Sequence, residues 1–180
     1  MFFVFPLFLQ AQKIHFVKEE LTFETDSEYF GVAGYYYFSN AGSKTADQQI
    51  FYPVYKDSLY RTFELLRIFN CNTGEEQNGV IITDNGAIFK ISVNPGDSLC
   101  LHISYRQKIA GNKVCYILQS TQKWKKPLEK AIYTYISDKA VSESAFSYKP
   151  HKHSVIDGKN IYSWYFTSFM PERDFDIMIR

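Results

Sequence analysis

Long apolar runs are missing from this sequence. Beyond a short block at its start, no stretch approaches the roughly 20 residues that cross a bilayer as a helix, so no helical membrane span is expected. An excess of one charge is missing too: 20 Lys and Arg stand against 19 Asp and Glu, a formal net charge of +1. Such a chain has no positive field with which to hold a phosphate backbone, and nucleic acid is excluded as its main partner. Cysteine is scarce. Cys71, Cys100 and Cys115 are odd in number, so they cannot all pair within the chain, and no two stand at the C-x-x-C spacing of a metal site. They read either as three reduced, partly buried thiols or as one disulfide with one thiol left over. No glycine-rich phosphate loop or dinucleotide fingerprint is present, and no nucleophile-elbow or Ser-x-x-Lys signature stands in a supporting context. Ser142-Glu143-Ser144, for example, lacks the flanking glycines of an elbow. No cofactor is therefore expected.

What is present is aromatic. Fourteen Tyr, 16 Phe and two Trp bring the aromatic share to 18%, and such residues favour pleated, half-buried surfaces. Apolar residues make up 46%, enough for a proper core in 180 residues. The organising stretch runs from Asn85 to Gln119. Phe89, Ile91 and Val93 alternate with Lys90, Ser92 and Asn94, and Leu99, Leu101, Ile103 and Tyr105 form the next inward row. Between them, Asn94-Pro95-Gly96-Asp97 carries the residues of a type II turn, here expected to close a hairpin. Ile109-Ala110-Gly111-Asn112 turns the chain again into Val114, Tyr116 and Leu118.

The remaining segments extend the same pattern. Ile14, Phe16, Leu21 and Phe23 fall among Lys18, Glu19, Glu20 and Glu24, a strand or a broken pair with a charged outer face. Val32 to Phe38 is a strand with Gly34 as its weak point, and Pro53 ends a strand or lies on an edge. Phe63 to Phe69 follows, and Asp84-Asn85-Gly86 between apolar runs signals a hairpin. Leu128 to Ile136, Phe146 to Tyr148, Ile161 to Phe169 and Phe175 to Ile179 complete the strands. Lys139 to Ser144 is a short helix or a loop. The expected fold is all-β: a two-sheet, mainly antiparallel β-sandwich with at most one or two short helices, a single domain over residues 13–180.

Candidate chemistry is sparse. His151 and His153, with Asp157 nearby, are the one tight cluster of metal-ligand types, because residues i and i+2 of an extended chain share a face. A catalytic site needs three protein ligands, so an exposed polar turn before Asp157-Gly158 is the competing reading, and no tightly bound metal is expected. His102 and Ser104 share a strand face but lack an identifiable orienting carboxylate. Tyr35-Tyr36-Tyr37, and Trp124 among Lys123, Lys125 and Lys126, are contact surfaces for sugar rings or a protein, or else ordinary sheet surface and a solvated loop.

Residues 1–12 form a signal-like segment: Phe2 to Leu9 is apolar apart from Pro6, and Gln10-Ala11-Gln12 suits cleavage, although a basic start is missing. Tyr36 to Asn40, Phe51-Tyr52-Pro53-Val54, Phe89 to Asp97 and Leu101 to Gln107 together resemble the bacterial exported β-sandwich domains of unknown function. Trp124 to Leu128 and Phe169-Met170-Pro171-Glu172 continue that pattern, which is also similar to the vault and inter-alpha-trypsin (VIT) domain. The resemblance implies a sandwich outside the cytoplasm and carries over no catalytic residue. The expected function is a non-enzymatic, exported or envelope-associated scaffold or protein-interaction module whose partner is a protein or cell-envelope component. The alternative is a carbohydrate-binding module using exposed Tyr and Trp, and a metal-dependent hydrolase around His151 and His153 comes third.

Overall fold

The computed structural model describes residues 14–60 and 62–179, and among them twelve strands and two short 3-10 helices, Gln119–Trp124 and Glu143–Ala145. The all-β class is as expected; the signal-like segment 1–12 lies outside the described residues. Seven strands form one sheet, in the spatial order β10 (Lys152–Ile156), β11 (Lys159–Phe169), β9 (Leu128–Ser137), β1 (Ile14–Thr25), β2 (Tyr29–Asn40), β7 (Ser98–Lys108) and β4 (Glu64–Asn70). The opposing layer is divided. β3 (Ala46–Pro53), β6 (Gly86–Val93) and β5 (Ile81–Thr83) make a three-stranded sheet, while β12 (Phe175–Met178) pairs with β8 (Lys113–Tyr116). Every pairing among these strands is antiparallel except that of β1 with β9.

The two inward rows read from the sequence are both buried: Phe89, Ile91 and Val93 on β6, and Leu99, Leu101, Ile103 and Tyr105 on β7. They do not belong to one sheet, however. The turn at Asn94–Asp97 has its expected form, with Gly96 at φ 73° and the Asp97 amide donating to the Asn94 carbonyl at 3.2 Å. It joins the three-stranded sheet to the seven-stranded one, so the hairpin expected here is a crossing between layers. The cause lies in the buried Asn40 at the end of β2. Its Nδ2 donates to the carbonyls of Val93 (2.8 Å) and Lys44 (2.9 Å), and its backbone bonds both Gly96 and Asp97. The turn is thereby tied to β2, and the two apolar rows face each other across the core. The turn at Ile109–Asn112 likewise leads away from β7, into the two-stranded sheet.

Other turns do what their residues predict. Asp84-Asn85 closes the β5–β6 hairpin, and Gly86 follows at φ 148°. A Cβ at Gly86 would stand 2.0 Å from the Tyr52 carbonyl oxygen on β3, so only glycine fits. Two expectations near the C-terminus are corrected. Phe146–Tyr148 is not a strand; Phe146 makes a single bridge to Ile177. The segment read as a polar turn around His151 and His153 contains β10, because Asp157 (φ 50°) and Gly158 (φ 77°) form a two-residue turn that folds it onto β11.

The core is built from rings. Phe23 stacks on Phe175 at 4.8 Å, and Trp164 meets Phe175 edge-on at 4.9 Å, joining the seven-stranded sheet to β12. Tyr36 meets Tyr52 edge-on at 5.5 Å and so joins it to β3. Leu101 has no exposed surface. Leu101→Ala is expected to lower unfolding stability by about 2–5 kcal/mol in denaturant titration, and a cost near zero would mean that the inner row is not packed as described.

Candidate functional site

The histidine cluster does not converge. His151, just before β10, accepts a hydrogen bond at Nδ1 from the Tyr165 amide at 2.9 Å. The His153 ring lies flat on Tyr162 at 4.3 Å, with Nε2 3.1 Å from Asn160 Oδ1. Asp157 sits at the far end of β10, four residues and about 13 Å along the strand from His153. Among the described residues no group of three or more His, Cys, Asp or Glu is arranged to hold a metal. His102 packs its ring 4.9 Å from that of Tyr35, and its other neighbour across the sheet is Phe69. Trp124 is only partly exposed, resting on Phe16 (5.8 Å) and Phe38 (5.5 Å), while Lys123, Lys125 and Lys126 point to solvent.

One group that the sequence reading placed outside is buried. Glu19, assigned there to the charged outer face of β1, has 1% of its surface exposed. Ile14 and Phe16 are buried, but so are Glu19, Leu21 and Phe23, so the inward parity changes within the strand. The register against β2 shifts between Phe16 and Lys18, a bulge that turns Glu19 into the core. That parity change was legible: counting back in twos from Phe23 and Leu21 reaches Glu19.

Around Glu19 the core carries hydroxyls. Tyr133 donates to Glu19 Oε1, and Tyr36 is hydrogen-bonded to Tyr52 and to Tyr116, both at 2.8 Å. Burial pushes the Glu19 carboxyl up to about 7, against the opposing effect of the Tyr133 bond, and burial likewise raises all four phenols. Glu19, Tyr36, Tyr52 and Tyr116 line a cavity of about 50 Å3 between the sheets, whose wall also includes Phe51, Pro53 and Trp124. Such a space accommodates roughly one to a few waters and is far below the 300 Å3 or more of a small-molecule site. A larger cleft of about 390 Å3 lies at one end of the sandwich, and several of its polar groups are engaged within the fold. Asp26 Oδ1 accepts from the Glu28 and Tyr29 amides, and Thr25 Oγ1 bonds Tyr135 Oη at 2.6 Å.

The solvent face of the seven-stranded sheet is different. Strand register sets Phe69, His102, Tyr35, Glu20, Ile132 and Tyr165 in one row across β4, β7, β2, β1, β9 and β11. All six point away from the core, and Tyr35 and Tyr165 are 45% and 59% exposed. Cations sit over rings on the same face, Lys18 over Tyr37 at 4.5 Å and Arg67 over Phe69 at 4.8 Å. Three strand spacings, about 14 Å, separate Tyr35 from Tyr165. Neither Phe69 nor Tyr165 was singled out from the sequence, since only the pairing register reveals the row.

The buried carboxyl has a measurable consequence. Its value of about 7 in the fold lies above the ordinary 4.5, so folding takes up a proton between these limits. The stability due to the neutral carboxyl is complete below pH 4.5, declines as pH rises, and is lost above about pH 7. The decline amounts to about 3 kcal/mol for the full shift. Denaturant titrations from pH 4.5 to 8 are expected to show it in the native protein and to lose it in Glu19→Gln; an equal slope in both would assign it to other groups.

No protein-family model matches the chain, and no curated protein matches it in sequence. Among solved structures, the fold is similar to that of a "putative nutrient binding protein" from Legionella pneumophila, with a TM-score of 0.70 and 12% identity. The similarity covers 92% of this chain and 66% of that one, so the chain spans under two-thirds of its structural relative. The chain thus shares its β-sandwich fold with a larger bacterial protein of very different sequence.

Proposed function

We propose that the chain is a non-enzymatic, exported or envelope-associated β-sandwich that contacts a protein or other cell-envelope component through the open face of its seven-stranded sheet. The observation that carries this reading is the row from Phe69 to Tyr165. It sets exposed aromatic rings beside His102, Glu20 and an aliphatic residue on a rigid sheet, the mixture from which interaction surfaces draw their affinity. The interior offers no comparable site, because the cavity between the sheets is too small for an organic ligand. Export is supported by the apolar opening Phe2 to Leu9 and the Gln10-Ala11-Gln12 that follows. The Legionella protein is described as a nutrient binder, which points the same way.

A carbohydrate ligand is the second reading, favoured by the exposure of both Tyr35 and Tyr165, whose ring faces suit stacking on sugars. The hydrolase reading has less support, since His151 and His153 are engaged by Tyr165, Tyr162 and Asn160.

Site-specific photocrosslinking distinguishes these readings. A photoreactive phenylalanine analogue at position 35 or 165 is expected to capture one envelope protein that the same group at Asp84, on the far sheet, does not. Tyr35→Ala with Tyr165→Ala should weaken that capture at least about tenfold, with little change in thermal midpoint because both rings are exposed. Equal capture at all three positions would remove the face from consideration. Retardation by polysaccharide in affinity electrophoresis, lost in the double variant, would select the sugar.

A further inference from the structure

β4 ends at Asn70, paired with Leu101 of β7, so the next residue, Cys71, stands across from Cys100. The backbone continues the ladder there: the Cys71 amide donates to the Cys100 carbonyl at 2.9 Å. The side chains lie on the same outer side, and the two sulfurs are 2.7 Å apart, closer than two unbonded thiols approach. Cys115 takes no part; it is buried on β8. Of the three thiols, two are therefore held together by the sheet and one is held away from them.

We propose that Cys71 and Cys100 form an intramolecular disulfide when the chain meets a disulfide oxidant, and that this bond fastens the end of the edge strand β4 to β7. The pair is separated by 29 positions in sequence, and the intervening segment contains β5 and β6, most of the three-stranded sheet. Closing that loop at its base, where both ends leave the seven-stranded sheet, limits the freedom of the unfolded chain.

The chemistry is thiol–disulfide exchange. Cys71 is exposed, whereas burial and then the bond to Cys71 push the Cys100 thiol up, so Cys71 is the thiol that reacts first. Its thiolate attacks one sulfur of the oxidant, the oxidant's disulfide breaks, and a thiolate leaves. Cys100, deprotonated, then attacks the Cys71 sulfur of the mixed disulfide and releases the second thiolate. Two protein thiols are oxidised, one disulfide is reduced to two thiols, and the two protons pass to those leaving groups.

The experiment supplies its own oxidant and so stands apart from where the chain resides or what it binds. Purified protein is incubated with oxidised glutathione, denatured and alkylated, then compared with a fully reduced sample. The expected result is one alkylated thiol against three, a monomer on a non-reducing gel, and a linked peptide pair containing Cys71 and Cys100. Cys115→Ser should leave no alkylated thiol after oxidation. The thermal midpoint should rise by about 5–10 °C on oxidation and fall back with reductant, a shift absent from Cys71→Ser. Three alkylated thiols after oxidation, a link involving Cys115, or a bond between two chains would each overturn the proposal.

Discussion

The arrangement depends on β1. It is the central strand of the seven, pairing antiparallel with β2 on one side and parallel with β9 on the other. β2, β7 and β4 come from the first part of the chain, while β9, β11 and β10 come from the last, and within this sheet β1 alone joins the two groups. Its bulge at Val17 lets one strand bury Ile14 and Phe16 at one end and Leu21 and Phe23 at the other while admitting Glu19 between them. A regular strand of this sequence would bury one apolar pair and expose the other.

Admitting a carboxyl to an aromatic core has a cost, and the surrounding tyrosines limit it. Tyr133 gives Glu19 a donor, while Tyr36 bridges Tyr52 on β3 and Tyr116 on β8. The same hydroxyls span the gap between the seven-stranded sheet and both halves of the opposing layer. A phenylalanine at position 133 would fill the space but take from Glu19 its tyrosine donor, and one at position 36 would take a partner from both Tyr52 and Tyr116. Tyr105 is the exception, its hydroxyl buried without a hydrogen-bond partner among the described residues. The cluster thus specifies how the layers face each other as much as how strongly they adhere.

The parts of the fold governed by local chemistry were readable from the residues. Alternation identified β6, β7 and β9, and Gly96 and Gly86 occupy the special backbone positions their neighbours imply. What escaped depends on distant partners. Asn94-Pro95-Gly96-Asp97 is the same turn whether it joins strands side by side or across the core; Asn40, more than fifty residues earlier, decides which. β10 was missed because His151 to Ile156 has little apolar alternation and is held as a strand by its ladder to β11. Of the candidate surfaces, Tyr35 was found from sequence, but its row with Tyr165 exists only through β1 and β9.

The central placement of the first described strand has a consequence for how the protein is made. Glu19 and Tyr133 meet across 114 positions of sequence. A ribosome therefore delivers β1 and its hairpin partner β2 long before β9 exists, and throughout that interval one edge of β1 stays open. An open edge carrying Leu21 and Phe23 is a template for any extended chain nearby, including another nascent copy. Sheet closure must wait for the last third of the polypeptide, and contacts this remote make folding slow. Successful maturation thus depends on keeping that edge free until its own strand arrives, a demand on folding helpers that the finished molecule no longer displays.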